Sequence, residues 1–210
     1  MRIIACATVA EELIHMGFPQ EHMKVLDFAL HVEPQKLRQR LQEEIDNTEG
    51  DCDIILGYGK CSNALEGLSS RTHKLIVPRV EDCIAIFLGS QEEYLRVQRE
   101  EPGTYYLTKG WVIAQGNALE EYSRILEKYG EYRARRVVGA IFANYKRIVL
   151  INTGNYELDE SRRFASEMAA FLGLALEEIE GSRRLLKKMI KGQWDDEFIL
   201  VDKGLPVSFY

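Results

Sequence analysis

Apolar positions fall in short continuous runs separated by amphipathic stretches. RIIACAT at 2–8 is a run rich in β-formers, and VAEELIHMG after it has helical periodicity closing at Gly17. VLDFALH at 25–31 fits a strand or a helix, whereas Pro34 and the amphipathic KLRQRLQEEID predict a helix over 34–47. DIILGYG at 53–59 and HKLIVPR at 73–79 read as strands. CSNALEGL between them reads as the start of a short helix, and EDCIAIFLGS at 81–90 as a mostly apolar one. Strands alternating with helices predict a parallel sheet covered on both faces.

The alternation loosens and then resumes. EEYLRVQRE reads as a helix, PGTYYLTKGW as a strand between turns, and 117–143 as largely helical. RIVLINTG at 147–154, a helix over 159–172, LALEEIE at 174–180, a helix over 182–191 and FILVD at 198–202 form a second βαβαβ segment. The expected fold is α/β, with two lobes built on mainly parallel sheets flanked by helices. The N-terminal lobe covers 1–100, a largely helical connection 101–145 and the C-terminal lobe 146–210. The cleft between the lobes is the expected ligand site.

Composition narrows the function classes. The chain has 210 residues, 46% of them hydrophobic, and 27 Lys+Arg against 33 Asp+Glu give a net charge of -6. No overall field favours phosphate backbones or acidic lipids, so no nucleic-acid or membrane partner is expected. No run approaches the roughly 20 apolar residues of a membrane span, and no signal peptide precedes the first strand, so the expected location is cytoplasmic. The four cysteines are then free thiols, core residues or metal ligands rather than a disulfide scaffold.

Their placement matters most. Cys6 ends the first strand, Cys61 lies just beyond DIILGYG, and Cys83 lies five residues beyond Pro78, whereas Cys52 precedes its strand. Parallel sheets bind ligands beyond the carboxyl ends of their strands, so Cys6, Cys61 and Cys83 converge on that edge and Cys52 lies at the opposite one. Three thiolates suit Zn²⁺ or a [4Fe-4S] cluster and leave one position open. No CxxC pair is present, and buried inert thiols are the alternative. His31 follows an apolar stretch and is the one histidine expected near Cys6; His15, His22 and His73 read as solvated or capping. Glu81 and Asp82 read as ligand, general base or helix-cap carboxylates, Asp82 as the cap.

Two loops are candidate binding loops. In GYGKCSNALEGL, Gly57 and Gly59 permit close backbone approach and Asn63 can cap a following helix; a plain turn explains the same residues. In NTGN, Thr153 and Gly154 stand where the second lobe would contribute binding groups. The aromatics of TYYLTKGW either wall a pocket or fill the core. GxSxG, HExxH and an EF-hand loop are all missing.

The stretches IACATVAEEL, HVEPQKLRQRL, ILGYGKCSNALEGL, LIVPRVEDCIAIFLGS, PGTYYLTKGW and GQWDDEFILVDKG occur in this order over most of the chain. In them the chain resembles domain-of-unknown-function family 1638, whose members occur in methanogenic archaea and anaerobic bacteria. The resemblance implies a single family domain over 1–210, with functional positions at Cys6, His31, Cys61 and Cys83 but not Cys52. Ala7 stands where the family usually has glycine, and Glu81 where it usually has histidine. The resemblance also implies a place beside corrinoid-dependent methyltransferase components, in anaerobic one-carbon or methyl-group metabolism. The expectation is therefore a metalloprotein with Zn²⁺ on Cys6, Cys61 and Cys83, and His31 and Glu81 as acid/base groups acting on a small-molecule substrate. A [4Fe-4S] enzyme on the same cysteines and a non-catalytic accessory protein of a corrinoid methyltransferase are the alternatives.

Overall fold

The computed structural model describes residues 1–113 and 118–209, so the first residue of the expected 117–143 helical region lies outside it. Strands β1 (Arg2–Cys6), β2 (Met23–Leu26), β3 (Ile54–Gly57) and β4 (Leu75–Pro78) form a parallel array in the order β2-β1-β3-β4. β1, β3 and β4 are nearly continuous apolar runs because helices cover both faces, whereas β2, at the edge, exposes Lys24 and Val25. Helix α1 (Ala7–His15) buries Val9, Ala10 and Leu13, and α2 (Pro34–Asp46) buries Leu37, Leu41 and Ile45 at a spacing of four residues. The short α3 (Cys83–Leu88) is buried along its whole length, and α4 (Gln91–Glu100) follows it.

The second sheet is parallel, in the order β5-β6-β7, from β5 (Thr104–Leu107), β6 (Arg147–Asn152) and β7 (Ala175–Glu180). Helices α5 (Lys109–Ile113), α6 (Ala118–Tyr129), α7 (Glu131–Phe142) and α8 (Asp159–Leu172) lie between these strands in the chain. Strand β6 joins the two halves: Val149 and Ile151 pack into the core of the larger sheet, while Ile148 and Leu150 pack with Leu107, Val138 and Met168. The expected α/β architecture of two mainly parallel sheets flanked by helices is the observed one. Among the described residues no helix is long and apolar enough to cross a membrane.

Three local expectations are corrected. FILVD does not complete a second βαβαβ sheet: β8 (Phe198–Val201) pairs antiparallel with β4 and closes the first sheet, and α9 (Arg184–Lys191) before it packs Leu185, Leu186 and Met189 into that core. The reason lies in the two available edges. β4 is fully apolar, whereas β7 is an exposed edge whose Glu177 and Glu178 pair with Arg147 and Arg162, a charged border that discourages a further strand. CSNALEGL forms a chain of turns rather than a helix. His73 is neither solvated nor a cap but buried, bridging the carbonyls of Cys52 (2.8 Å) and Thr48 (2.9 Å).

Candidate functional site

In the order β2-β1-β3 the chain leaves β1 toward β2 on one side and β3 on the other, so the carboxyl ends of β1 and β3 flank a topological switch point. Cys6 is the last residue of β1 and the N-cap of α1, fully buried, with its sulfur 3.1 Å from Thr8 Oγ1. Cys83 opens α3 and is also buried. Asp82 caps that helix as expected, accepting from the Ile84 N–H at 2.9 Å, and its other oxygen accepts from Tyr94 at 3.4 Å.

Cys61 reaches the same place through an unusual backbone. Cys61, Ser62 and Asn63 all have positive φ, at 44°, 55° and 64°. A run of left-handed non-glycine residues costs roughly 1–2 kcal/mol per residue and persists only where the surroundings impose it. Here Lys60 and Cys61 donate their N–H groups to the carbonyls of Val80 and Glu81 at 2.8 and 2.9 Å, and Arg38 donates to the Asn63 carbonyl at 2.6 Å. Gly59 makes the approach possible, since a Cβ there would lie 2.6 Å from the Asp82 nitrogen. It thereby brings the Cys61 loop onto the Cys83 loop. Gly57 allows a comparably close approach to β1, where a Cβ would lie 2.7 Å from the Ala5 methyl. The Asn63 side chain is exposed, beside a surface pocket shared with Ser62 and Lys36.

His31 comes from the 3₁₀ turn Phe28–Val32 that follows β2. Residues three apart eclipse in such a turn, so Phe28 and His31 stack with ring centroids 5.2 Å apart. His31 Nδ1 lies 3.0 Å from the Phe28 carbonyl, which only accepts, so this nitrogen carries a proton. Its Nε2 is buried without a hydrogen-bond partner. On the ring's other side lies Tyr58, fully buried, its hydroxyl also unpartnered. The aromatic row continues outward from Phe28 to Trp111 and on to Tyr105, so TYYLTKGW reaches the site through Trp111.

The groups act on one another electrically. A hydrogen bond from Cys83 holds the Cys6 thiol well below the ordinary cysteine value despite burial, and His31 adds to the effect. That same bond, and then burial, push Cys83 well above it. Burial raises the Cys61 thiol against the pull of His31. For His31, burial opposes charge, but the Cys6 and Cys61 sulfurs outweigh it and raise the pKa to about 10. Tyr58 is raised by burial and then by the charges of all three thiols. The influence is mutual: Cys83 and His31 favour a charged Cys6 sulfur, and the Cys6 and Cys61 sulfurs favour a charged His31.

Among the described residues, no three His, Cys, Asp or Glu side chains stand at the spacing of ligands around one ion. A hydrogen bond joins Cys6 to Cys83, and a metal would take the place of its proton. The donor set fits a soft metal: three sulfurs, and one imidazole whose second nitrogen is anchored by a carbonyl in the way metal-bound histidines are held.

The other expected positions lie apart. The Glu81 side chain is exposed, and the residue serves the loop through its backbone. Thr153 is occupied by Glu12, a carboxylate 1% exposed that also accepts from Asn155 and Tyr156 and ties α1 to the loop after β6. Gly154, at φ 66°, turns that loop beside a separate cavity. Sequence reasoning misses Tyr58, because at the end of an apolar run it reads as core; its place between two glycines is the available signal.

The sequence profile of a family described as a protein of unknown function, DUF1638, matches residues 25–190. No curated protein and no solved structure matches the chain.

Proposed function

We propose that this chain, which belongs to the DUF1638 family of proteins of unknown function, is a metalloprotein that binds one Zn²⁺ through Cys6, Cys61 and Cys83, with His31 Nε2 facing the fourth position. One observation carries the reading: two buried polar atoms without partners, His31 Nε2 and the Tyr58 hydroxyl, set against three thiols at the switch point of a parallel sheet. Buried polar groups in native proteins are nearly always paired, and an unpaired couple beside thiols suits a site that takes a ligand.

Zinc held by these cysteines would supply a Lewis acid that lowers the pKa of a substrate thiol. The remaining work falls to the chain. Cys6, whose thiol is the one held below the ordinary cysteine value, would offer the first sulfur, and Cys61 and Cys83 would give up their protons on binding the metal. His31, held at Nδ1 by Phe28, takes or returns a proton at Nε2. The unpartnered Tyr58 hydroxyl is available to a bound ligand, and Phe28 and Trp111 pack over the imidazole side of the site. Glu81 is exposed, so proton transfer falls to His31 in this reading. The reaction class is transfer of a small group, such as methyl, to or from a thiol of a small-molecule substrate. The family resemblance supports placing it in anaerobic one-carbon metabolism beside a corrinoid methyltransferase component.

Cys61→Ser is the decisive variant, because Cys61 is half-buried on a loop and its loss leaves the core intact. The variant is expected to keep the native circular dichroism and lose stoichiometric zinc; retained zinc overturns the proposal. A brown protein holding iron and sulfide replaces zinc with a [4Fe-4S] cluster on the same cysteines. The complete burial of Cys6 favours a second reading, inert core thiols in an accessory protein, which requires that the wild-type chain take up no metal at all.

A further inference from the structure

A cavity of about 750 Å³ opens at the carboxyl edge of the smaller sheet, lined by residues none of which belongs to the thiol centre. Its floor is Asn152 at the end of β6 and Glu180 at the end of β7. This is where a βαβ unit binds ligands, and the size suits a small molecule.

Its charges are distinctive. Glu178 is engaged by Arg162 at 2.8 and 3.0 Å, and Arg184 by Glu197. Among the described residues, the side chains of Arg183, Lys187 and Glu180 have no ion-pair or hydrogen-bond partner. The cations sit at the start of α9, whose first turn has no acidic residue, whereas α8 begins with Asp159 and Glu160 and repels an anion. The loop that presents them is fixed: the Gly181 N–H bonds the Asn152 carbonyl at 2.8 Å, the Ser182 N–H the Phe87 carbonyl at 2.7 Å, and Arg184 the Gly89 carbonyl at 2.7 Å. Gly181 has no room for a side chain, since a Cβ would lie 2.7 Å from Ile151 and 2.8 Å from the Phe87 carbonyl. A fixed loop carrying two free cations pays little ordering entropy on binding an anion.

We propose that this cavity binds a small phosphorylated sugar, with the phosphate on Arg183 and Lys187 and sugar hydroxyls donating to Glu180. The guanidinium fork matches phosphate oxygens, and the free Glu180 carboxylate in the same cavity can accept from hydroxyls of the same ligand, for which ribose 5-phosphate is the probe. The site stands independently of the metal reading.

Ligand-observed NMR titration of the full metal-stripped chain with ribose 5-phosphate, inorganic phosphate and ribose tests it. Ribose 5-phosphate is expected to bind more tightly than either fragment. Arg183→Gln should weaken it by about tenfold or more, the scale of one charged hydrogen bond. Glu180→Gln should weaken ribose 5-phosphate and leave inorganic phosphate unchanged. Glu180 and Lys187 are exposed and Arg183 is half-buried, and none has a partner to lose among the described residues, so the melting temperatures of the variants should match wild type. No binding at millimolar ribose 5-phosphate, or affinity untouched by Arg183→Gln and Lys187→Gln, overturns the proposal. Inorganic phosphate binding as tightly as ribose 5-phosphate overturns its sugar half.

Discussion

His31 is fixed by Phe28, three residues back in one 3₁₀ turn: the Phe28 carbonyl takes the Nδ1 proton at 3.0 Å and the Phe28 ring stacks on the imidazole. The carbonyl sets which nitrogen faces the thiols, and no side-chain substitution elsewhere can supply it. His31→Ala is therefore expected to weaken zinc binding by about tenfold or more while leaving three sulfurs in place, a loss on the scale seen when a metal site's orienting groups are removed. Competition with a chromophoric chelator measures it, and unchanged affinity would separate His31 from the metal.

Gly59 is the contact on which the Cys61 loop turns. Gly59→Ala forces a methyl against the Asp82 backbone, where nothing flexible can yield. The variant should lose about 1–3 kcal/mol of stability, the usual cost of overpacking, together with its zinc. Urea unfolding and metal analysis on the same sample check both. A stable variant that still binds zinc would show that the loop contact does not place Cys61.

Much of this is legible in the sequence, in proportion to how local the cause is. Continuous apolar runs mark β1, β3, β4 and β6, and their carboxyl ends give the edge on which Cys6, Cys61 and Cys83 lie. The partner of FILV is not legible, because a short apolar run records burial and not which open edge it will cover. CSNALEGL has helical composition, yet contacts with the Val80–Glu81 backbone hold Cys61, Ser62 and Asn63 left-handed. Such a cause lies some twenty residues away in the chain and leaves no periodicity. Thr153 reads as a binding residue, and it meets Glu12, 141 positions distant.

That contact gives a stability prediction. Glu12 accepts from buried Thr153 at 2.9 and 3.0 Å, and from half-buried Asn155 at 2.9 Å and Tyr156. Glu12→Ala strands these donors and should cost about 2–4 kcal/mol, since each unsatisfied buried group costs roughly 1–3. Thr153→Ala, which removes one donor, should cost less. Equal and negligible effects in urea titrations would show that the tie carries no stability.

Acid should loosen the corner between α9 and β8. Arg184 holds the Glu197 carboxyl below its ordinary 4.5, against partial burial, and Lys188 adds to the effect. A depressed carboxylate stabilises the fold above its unfolded pKa, and the benefit is lost as pH falls through the lower folded value. Wild type should thus exceed Glu197→Gln by about 1 kcal/mol at neutral pH, a modest figure because the pair is partly solvated, and the gap should close in acid. A gap that widens below pH 4.5 would contradict the assignment.

X-ray absorption at the zinc edge, on protein purified without oxygen or chelator, shows whether the three thiols form a metal centre. About one zinc per chain is expected, in a shell dominated by sulfur with three sulfur neighbours and one lighter atom, and that shell should be lost in Cys61→Ser. A wild-type chain that takes up no zinc on reconstitution, or whose zinc is surrounded by nitrogen and oxygen alone, would contradict it.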